Sequence, residues 1–455
     1  MTAALALAMA PGASALSVQW MHGAPSPGTP TRYDRVGVLK IGPSRAHNVL
    51  VLVPGTSAGS AYFAPLARWI LSRAPRWQVW SIERRENLLE DQSVVNRAKR
   101  GQASPAELFN YYLGYLKDPA ASPHHFAAVA PGGVGFAKRW GMTVAVGDVR
   151  RVVSAASRLG GKVVLGGHSL GGGVVTAYAT WDFRGRPGAD GLAGLVYIDG
   201  GSFGHESAGT AQAALAALSA PDASPWEAFG GIPAPLAGVY NVTGSTAALI
   251  APNAPSLGQQ SGLLTAFHLT PSVPLTNLAQ YGYALNVGTS PPGLAAAQAH
   301  LGAGITATGR LRGWNGAGAL TPITRFAQMF AGTGISNADG TEWYFPQRLS
   351  DDLGAIGNGT PSGAEQVLGL HATLGRHLPH SLRIYAFGAK LGGTAILGEA
   401  RALAVQSHIP LRQVTLVDRH ASYAHNDPNG AYPHNTFVAH LLPFLERIAA
   451  PHRAP

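Results

Sequence analysis

A chain of 455 residues with 46% hydrophobic and only 12% charged residues can bury a large core and carries too little charge for an extended disordered protein. Its formal net charge is +10, yet its one short basic cluster, Arg97, Lys99 and Arg100, has no aromatic interleaving, so it reads as solvated surface and no nucleic-acid partner is expected. The absence of cysteine excludes disulfides, thiolate metal sites and cysteine nucleophiles.

At the start of the chain Ala3 to Ala10 is a short apolar run and Ala13-Ser14-Ala15 is an A-x-A cleavage pattern. Residues 1–15 therefore read as a signal peptide and the protein as exported (secreted or periplasmic), although no Lys or Arg precedes the run. No other stretch is long and apolar enough to span a membrane. After a Pro/Gly-rich lead-in, Tyr33 to Ile41 alternates apolar and polar residues, the pattern of a half-exposed strand. Asn48 to Val53 has no polar interior and fits a strand buried on both faces, as in a parallel sheet. It runs into Pro54-Gly55-Thr56-Ser57 and a helix around Tyr62 to Leu71.

Trp77 to Ile82 is the next strand, and the charged run Glu83 to Asn87 at its carboxyl end could contact substrate but reads first as a solvated loop. A helix follows between Pro105 and Leu116. From Thr143 to Leu159 the apolar residues Val149, Val152, Val153, Ala156 and Leu159 share one helical face, and Gly160-Gly161 ends the helix.

The stretch Lys162 to Tyr178 then goes from a β-branched run through small residues into a second apolar segment, with Ser169 at the turn between Gly167 and Gly171. A serine alcohol is a poor nucleophile at neutral pH, so it needs a neighbouring base and room for an acyl carbon to approach. The G-x-S-x-G pattern also occurs around Ser57 and Ser202. Only Ser169 has small residues on both sides, from Gly166 to Gly173, that let strand and helix approach closely.

With this strand, elbow and helix the chain resembles the α/β-hydrolase superfamily, specifically its serine esterases and lipases with a large cap. The resemblance implies a mostly parallel central sheet with helices on both faces. Residues 16–200 and 381–455 would form the core, and residues 201–380, rich in Ala, Gly, Pro and Thr, a mainly helical cap or lid. Leu195 to Ile198, Arg383 to Phe387 and Gln413 to Val417 are the remaining strands. A final helix carries Val438, Leu441, Leu442, Leu445 and Ile448 on one face, and Pro443 should kink or interrupt it. Trp343-Tyr344-Phe345-Pro346 would either line an acyl pocket or dock the cap on the core.

In this fold the base comes from the loop after the last strand, where His420, His425 and His434 stand, and His425 in Tyr423-Ala424-His425-Asn426-Asp427 fits best. The acid commonly follows the strand Arg383 to Phe387, but Gly388-Ala389-Lys390-Leu391-Gly392-Gly393 contains no carboxylate. Asp199, at the end of the preceding strand, is the first choice, ahead of Glu399 and Asp418; it could instead simply cap a turn. The backbone N–H groups of Leu170 and of Thr56, or of Ser57, would form the oxyanion hole. The implied activity is hydrolysis of a small-molecule or lipid carboxylic ester through an acyl-enzyme. A thioesterase, an acyltransferase, a peptidase or a non-catalytic binding scaffold are the alternatives. No metal or organic cofactor is implied, and His268, His300 and His371 have no ligand spacing.

Overall fold

The computed structural model describes residues 16–202, 204–266, 269–290 and 298–450. The expected signal peptide, and His268, lie outside these. Eight strands form one sheet: β1 (Val18–His22), β2 (Arg35–Ile41), β3 (Asn48–Val53), β4 (Trp77–Glu83), β5 (Val163–His168), β6 (Gly194–Ile198), β7 (Arg383–Gly388) and β8 (Val414–Asp418). Their order across the sheet is β1-β2-β4-β3-β5-β6-β7-β8. The β1–β2 and β2–β4 pairings are antiparallel, and every pairing from β4 to β8 is parallel. That order, with its reversal between β3 and β4 and helical crossovers elsewhere, is the α/β-hydrolase fold.

The uniformly apolar strands are covered on both faces, as their sequences require. In β3, Val49, Val51 and Val53 belong to one buried cluster and Leu50 and Leu52 to the other. Helices α1 (Ala64–Leu71), α2 (Met142–Ser157) and α3 (Leu170–Thr180) follow the early strands. The apolar stripe of α2 joins the first cluster through Val149, Val152, Val153 and Ala156, while α1 packs on the opposite face through Leu66, Ala67 and Ile70. β1 departs from the sequence reading, which found no strand before Tyr33: Val18–His22 is an edge strand whose residues pair with Arg35 to Leu39.

The segment between β6 and β7 holds helices α4 (Ala234–Ile250), α5 (Ile323–Ala331) and α6 (Gln347–Ala355), shorter helices, and two two-residue strand pairs, Ala228–Phe229 with Ile232–Pro233 and Gly304–Ile305 with Trp314–Asn315. Its buried side chains join the two clusters that flank the sheet. Trp343, Tyr344, Phe345 and Leu349 pack in the first, and Tyr281, Ile323, Phe326 and Phe330 in the second. The aromatic run at 343–345 is therefore docking surface, with all three rings fully buried.

After β7 come α7 (Gly393–Gln406) and, beyond β8, α8 (Thr436–Ala449). Pro443 does not interrupt α8, which continues through it as one helix. Pro443 and Ala439, whose carbonyl would have accepted the missing N–H, are both exposed, so water can replace that bond.

Candidate active site

The turn from β5 into α3 holds Ser169 at φ 55 and ψ −130, a conformation that L-residues rarely adopt. The flanking glycines permit it. A Cβ on Gly167 would lie 2.1 Å from the carbonyl oxygen of Gly171, and one on Gly171 would lie 2.1 Å from that of Val53. Ser169 is partly exposed in otherwise buried surroundings, and Leu170 is the first residue of α3, where an N–H has no intrahelical partner.

Two other chain segments meet this turn. The Ser169 amide donates to the carbonyl of Ile198 (3.1 Å), which puts the elbow beside Asp199, itself at φ 44. His168, next to Ser169, donates from Nε2 to the carbonyl of His425 (3.0 Å), and the two imidazoles lie 4.3 Å apart. His425 Nδ1 stands 2.6 Å from Asp199 Oδ2, and both side chains are almost wholly buried. Ser169, Asp199 and His425 therefore converge from the carboxyl ends of β5 and β6 and the loop after β8.

The Asp199 carboxylate also accepts the amides of Ala389 (2.7 Å), Gly392 (3.0 Å) and Leu391 (3.2 Å). The segment after β7, which carries no acid of its own, thus supplies backbone donors just ahead of the N-terminus of α7, an arrangement that favours an anion. Burial alone would raise the Asp199 pKa; the hydrogen bond and charge of His425 and the Ala389 amide outweigh it and hold the acid below its ordinary value. An ionised Asp199 can only accept, so His425 carries its proton on Nδ1 and leaves Nε2 unprotonated in its neutral form. His168, by contrast, is pushed down to about 3 by burial and then by His425, and stays neutral.

The other candidates are placed elsewhere. His420 pairs with Asp418 (2.6 Å) where both are about half exposed, and His434 is exposed at the start of α8. Glu399 lies on α7 beside Tyr197, Thr176 and Ser202. Among the described residues, the Ser57 and Ser202 hydroxyls are buried without a hydrogen-bond partner. His300 pairs with Asp427, and His371 packs edge-on against Trp181. No group of three or more His, Asp or Glu among the described residues is placed to hold a metal ion, and no helix among them is long and apolar enough to cross a membrane.

The run Glu83 to Asn87, expected as a solvated loop, is buried throughout. Its two arginines are paired inside the protein. Arg84 donates to the Glu342 carboxylate, and also to the carbonyls of Pro54 (2.9 Å), Gly55 (2.7 Å) and Ala58 (3.2 Å). Arg85 pairs with Asp148 (2.6 Å) and Asp34 (2.9 Å). Only the presence of two arginines directly after a strand rich in Trp, Val and Ile hinted at such a role.

Arg84 also orients the loop after β3. In a trans peptide the C=O and the following N–H point in opposite directions, so the Gly55 carbonyl turned to Arg84 sends the Thr56 N–H the other way. Arg84 follows β4, Ser169 follows β5, and the strand that carries this loop, β3, lies between them. Gly55 itself approaches the serine turn: a Cβ on it would lie 2.8 Å from the Ser169 Cβ. Thr56 itself is exposed.

No protein-family model matches the sequence, and no curated protein matches it. Among solved structures, the chain is similar to a protein from Sulfolobus solfataricus assigned as a lipase, at 14% identity and TM-score 0.45, over 96% of this chain and 98% of that one. It is also similar to an esterase from Thermogutta terrifontis, at 12% identity and TM-score 0.39, over 95% and 100% of the two chains. A soluble variant of monoglyceride lipase from Saccharomyces cerevisiae matches at 9% identity and TM-score 0.37, over 97% of each chain.

Proposed function

We propose that the protein is a serine hydrolase that cleaves carboxylic esters through an acyl-enzyme on Ser169. The observation that carries this reading is the buried His425 Nδ1 to Asp199 Oδ2 bond of 2.6 Å beside a serine held at a positive-φ elbow. In the first half-reaction Ser169 Oγ attacks the acyl carbonyl while His425 Nε2 takes its proton, which then passes to the departing alkoxide. Asp199 keeps the imidazole in the required tautomer and stabilises the imidazolium. The N–H groups of Leu170 and Thr56 stabilise the oxyanion. Water, deprotonated by the same His425, releases the acid in the second half. The N-terminal pattern alone supports an exported protein, and the apolar segment between β6 and β7 supports a lipidic ester.

The test is turnover of a p-nitrophenyl ester series of increasing acyl length by the wild-type protein and by Ser169→Ala. Ester turnover that disappears in the variant is the expected result. Turnover of acyl thioesters but of no ester would move the substrate class to thioesters, and no turnover of either would contradict the hydrolase reading.

A further inference from the structure

The segment between β6 and β7 touches the catalytic apparatus at a place the triad does not use. Asp427, two residues after His425, is fully buried and accepts four hydrogen bonds, as many as a carboxylate has lone-pair sites. Its Oδ2 receives the Ala424 amide (2.8 Å) and His300 Nδ1 (2.6 Å). Its Oδ1 receives the His300 amide (3.0 Å) and the Thr321 hydroxyl (2.8 Å). On the other side of His425, the Asn426 amide donates to the carbonyl of Gln298 (3.1 Å). Both neighbours of His425 in the chain are thus held: Ala424 through Asp427, and Asn426 directly by the inserted segment. A further brace comes from Tyr62, whose hydroxyl donates to Asn426 Oδ1 (2.5 Å) and accepts from Asn429 Nδ2 (2.9 Å), and whose ring stacks on His168.

We propose that Asp427, His300 and Thr321 are positioning residues that lock the His425 loop onto the inserted segment, so that His425 is correctly aimed only while residues 298–321 are docked. The inference rests on the proposed triad. A lid would open without disturbing the catalytic base; here three residues of the insertion are bonded into the loop that carries it. Displacement of residues 298–321 would strip the Asp427 carboxylate of three of its four donors, a loss that couples the loop to the insertion.

The test compares Asp427→Asn, His300→Ala, Thr321→Val and Thr321→Ser in the full chain, by steady-state kinetics on an ester and by hydrogen exchange at the Ala424 and Asn426 amides. A small misplacement of a catalytic group costs up to about 10²-fold, so kcat should fall by about that factor in Asp427→Asn, by less in His300→Ala and Thr321→Val, with KM nearly unchanged. Thr321→Ser, which keeps the hydroxyl, should restore wild-type kcat. The two amides should exchange faster in the three damaging variants. Folded variants with wild-type kcat and wild-type exchange would overturn the proposal, as would a loss of thermal stability with kcat intact. If the wild-type protein turns over no ester, the triad reading falls. The exchange measurement then decides alone: unchanged exchange overturns the lock and faster exchange retains it.

Discussion

Two turns in this molecule carry the same Gly-x-Ser-x-Gly pattern after a buried parallel strand, and both hold their serine at positive φ, 51° at Ser57 and 55° at Ser169. Backbone strain and motif therefore do not separate them. Their surroundings do. Ser169 opens an 11-residue helix and follows His168, whose ring packs on the imidazole of the buried His425–Asp199 pair, whereas the Ser57 hydroxyl is buried without a partner and its carbonyl accepts the Glu342 amide (3.0 Å). A strained turn only presents a serine; it takes a base beside the hydroxyl to make it a nucleophile.

The largest effect that would break this contrast is on turnover. Ser169→Ala should lower kcat by about 10⁴-fold or more, while Ser57→Ala, which keeps the backbone amides of its loop, should stay within about threefold. Ester assays on the two purified variants check it, and comparable losses would erase the distinction. Asp199→Asn should cost about 10³–10⁴-fold in kcat with little change in KM, because the carboxamide can donate its N–H to His425 Nδ1 and so favour the tautomer with its proton on Nε2.

Contact between the two turns gives a smaller effect. An Ala at Gly55 would place its Cβ 2.8 Å from the Ser169 Cβ and 3.1 Å from the His168 carbonyl. Gly55→Ala should therefore reduce kcat and lower stability by about 1–3 kcal/mol, measured by urea unfolding.

Behind the Ser57 turn the carboxylates titrate in the opposite sense to Asp199. Asp199 has a folded value below its unfolded one, so its contribution to stability is present at neutral pH and lost as pH falls through the folded value. Glu86 is raised from 4.5 to about 8 by burial and then by the Glu342 charge, with Arg84 opposing. Its contribution is complete below pH 4.5 and is lost as pH rises through about 8. Glu86→Gln should flatten the decline in stability over that interval, as read from unfolding at its two ends.

Much of the fold was legible because its strands are extreme. Asn48 to Val53 and Leu195 to Ile198 admit only a sheet covered on both faces, and the glycines around Ser169 marked where a helix crosses close to a strand. The pairing of His425 with Asp199 could be chosen because the alternatives were few and the segment after β7 lacks a carboxylate. What sequence periodicity could not show was how charge is neutralised at long range. Arg84 and Glu342 are separated by 258 positions, and His168 and His425 by 257, so Glu83 to Asn87 looked like a surface loop and His168 like an ordinary strand residue. The inserted segment was hardest to read, because its buried residues pack on the two clusters that flank the sheet, partners that lie far away in the chain.

The most direct test of the central claim is labelling of the folded protein with a fluorophosphonate, followed by peptide mapping of the adduct. The expected outcome is a single modification at Ser169 that disappears in His425→Ala. An adduct at Ser57 or Ser202, or no adduct on the wild-type protein, would contradict the assignment of Ser169 as the activated nucleophile.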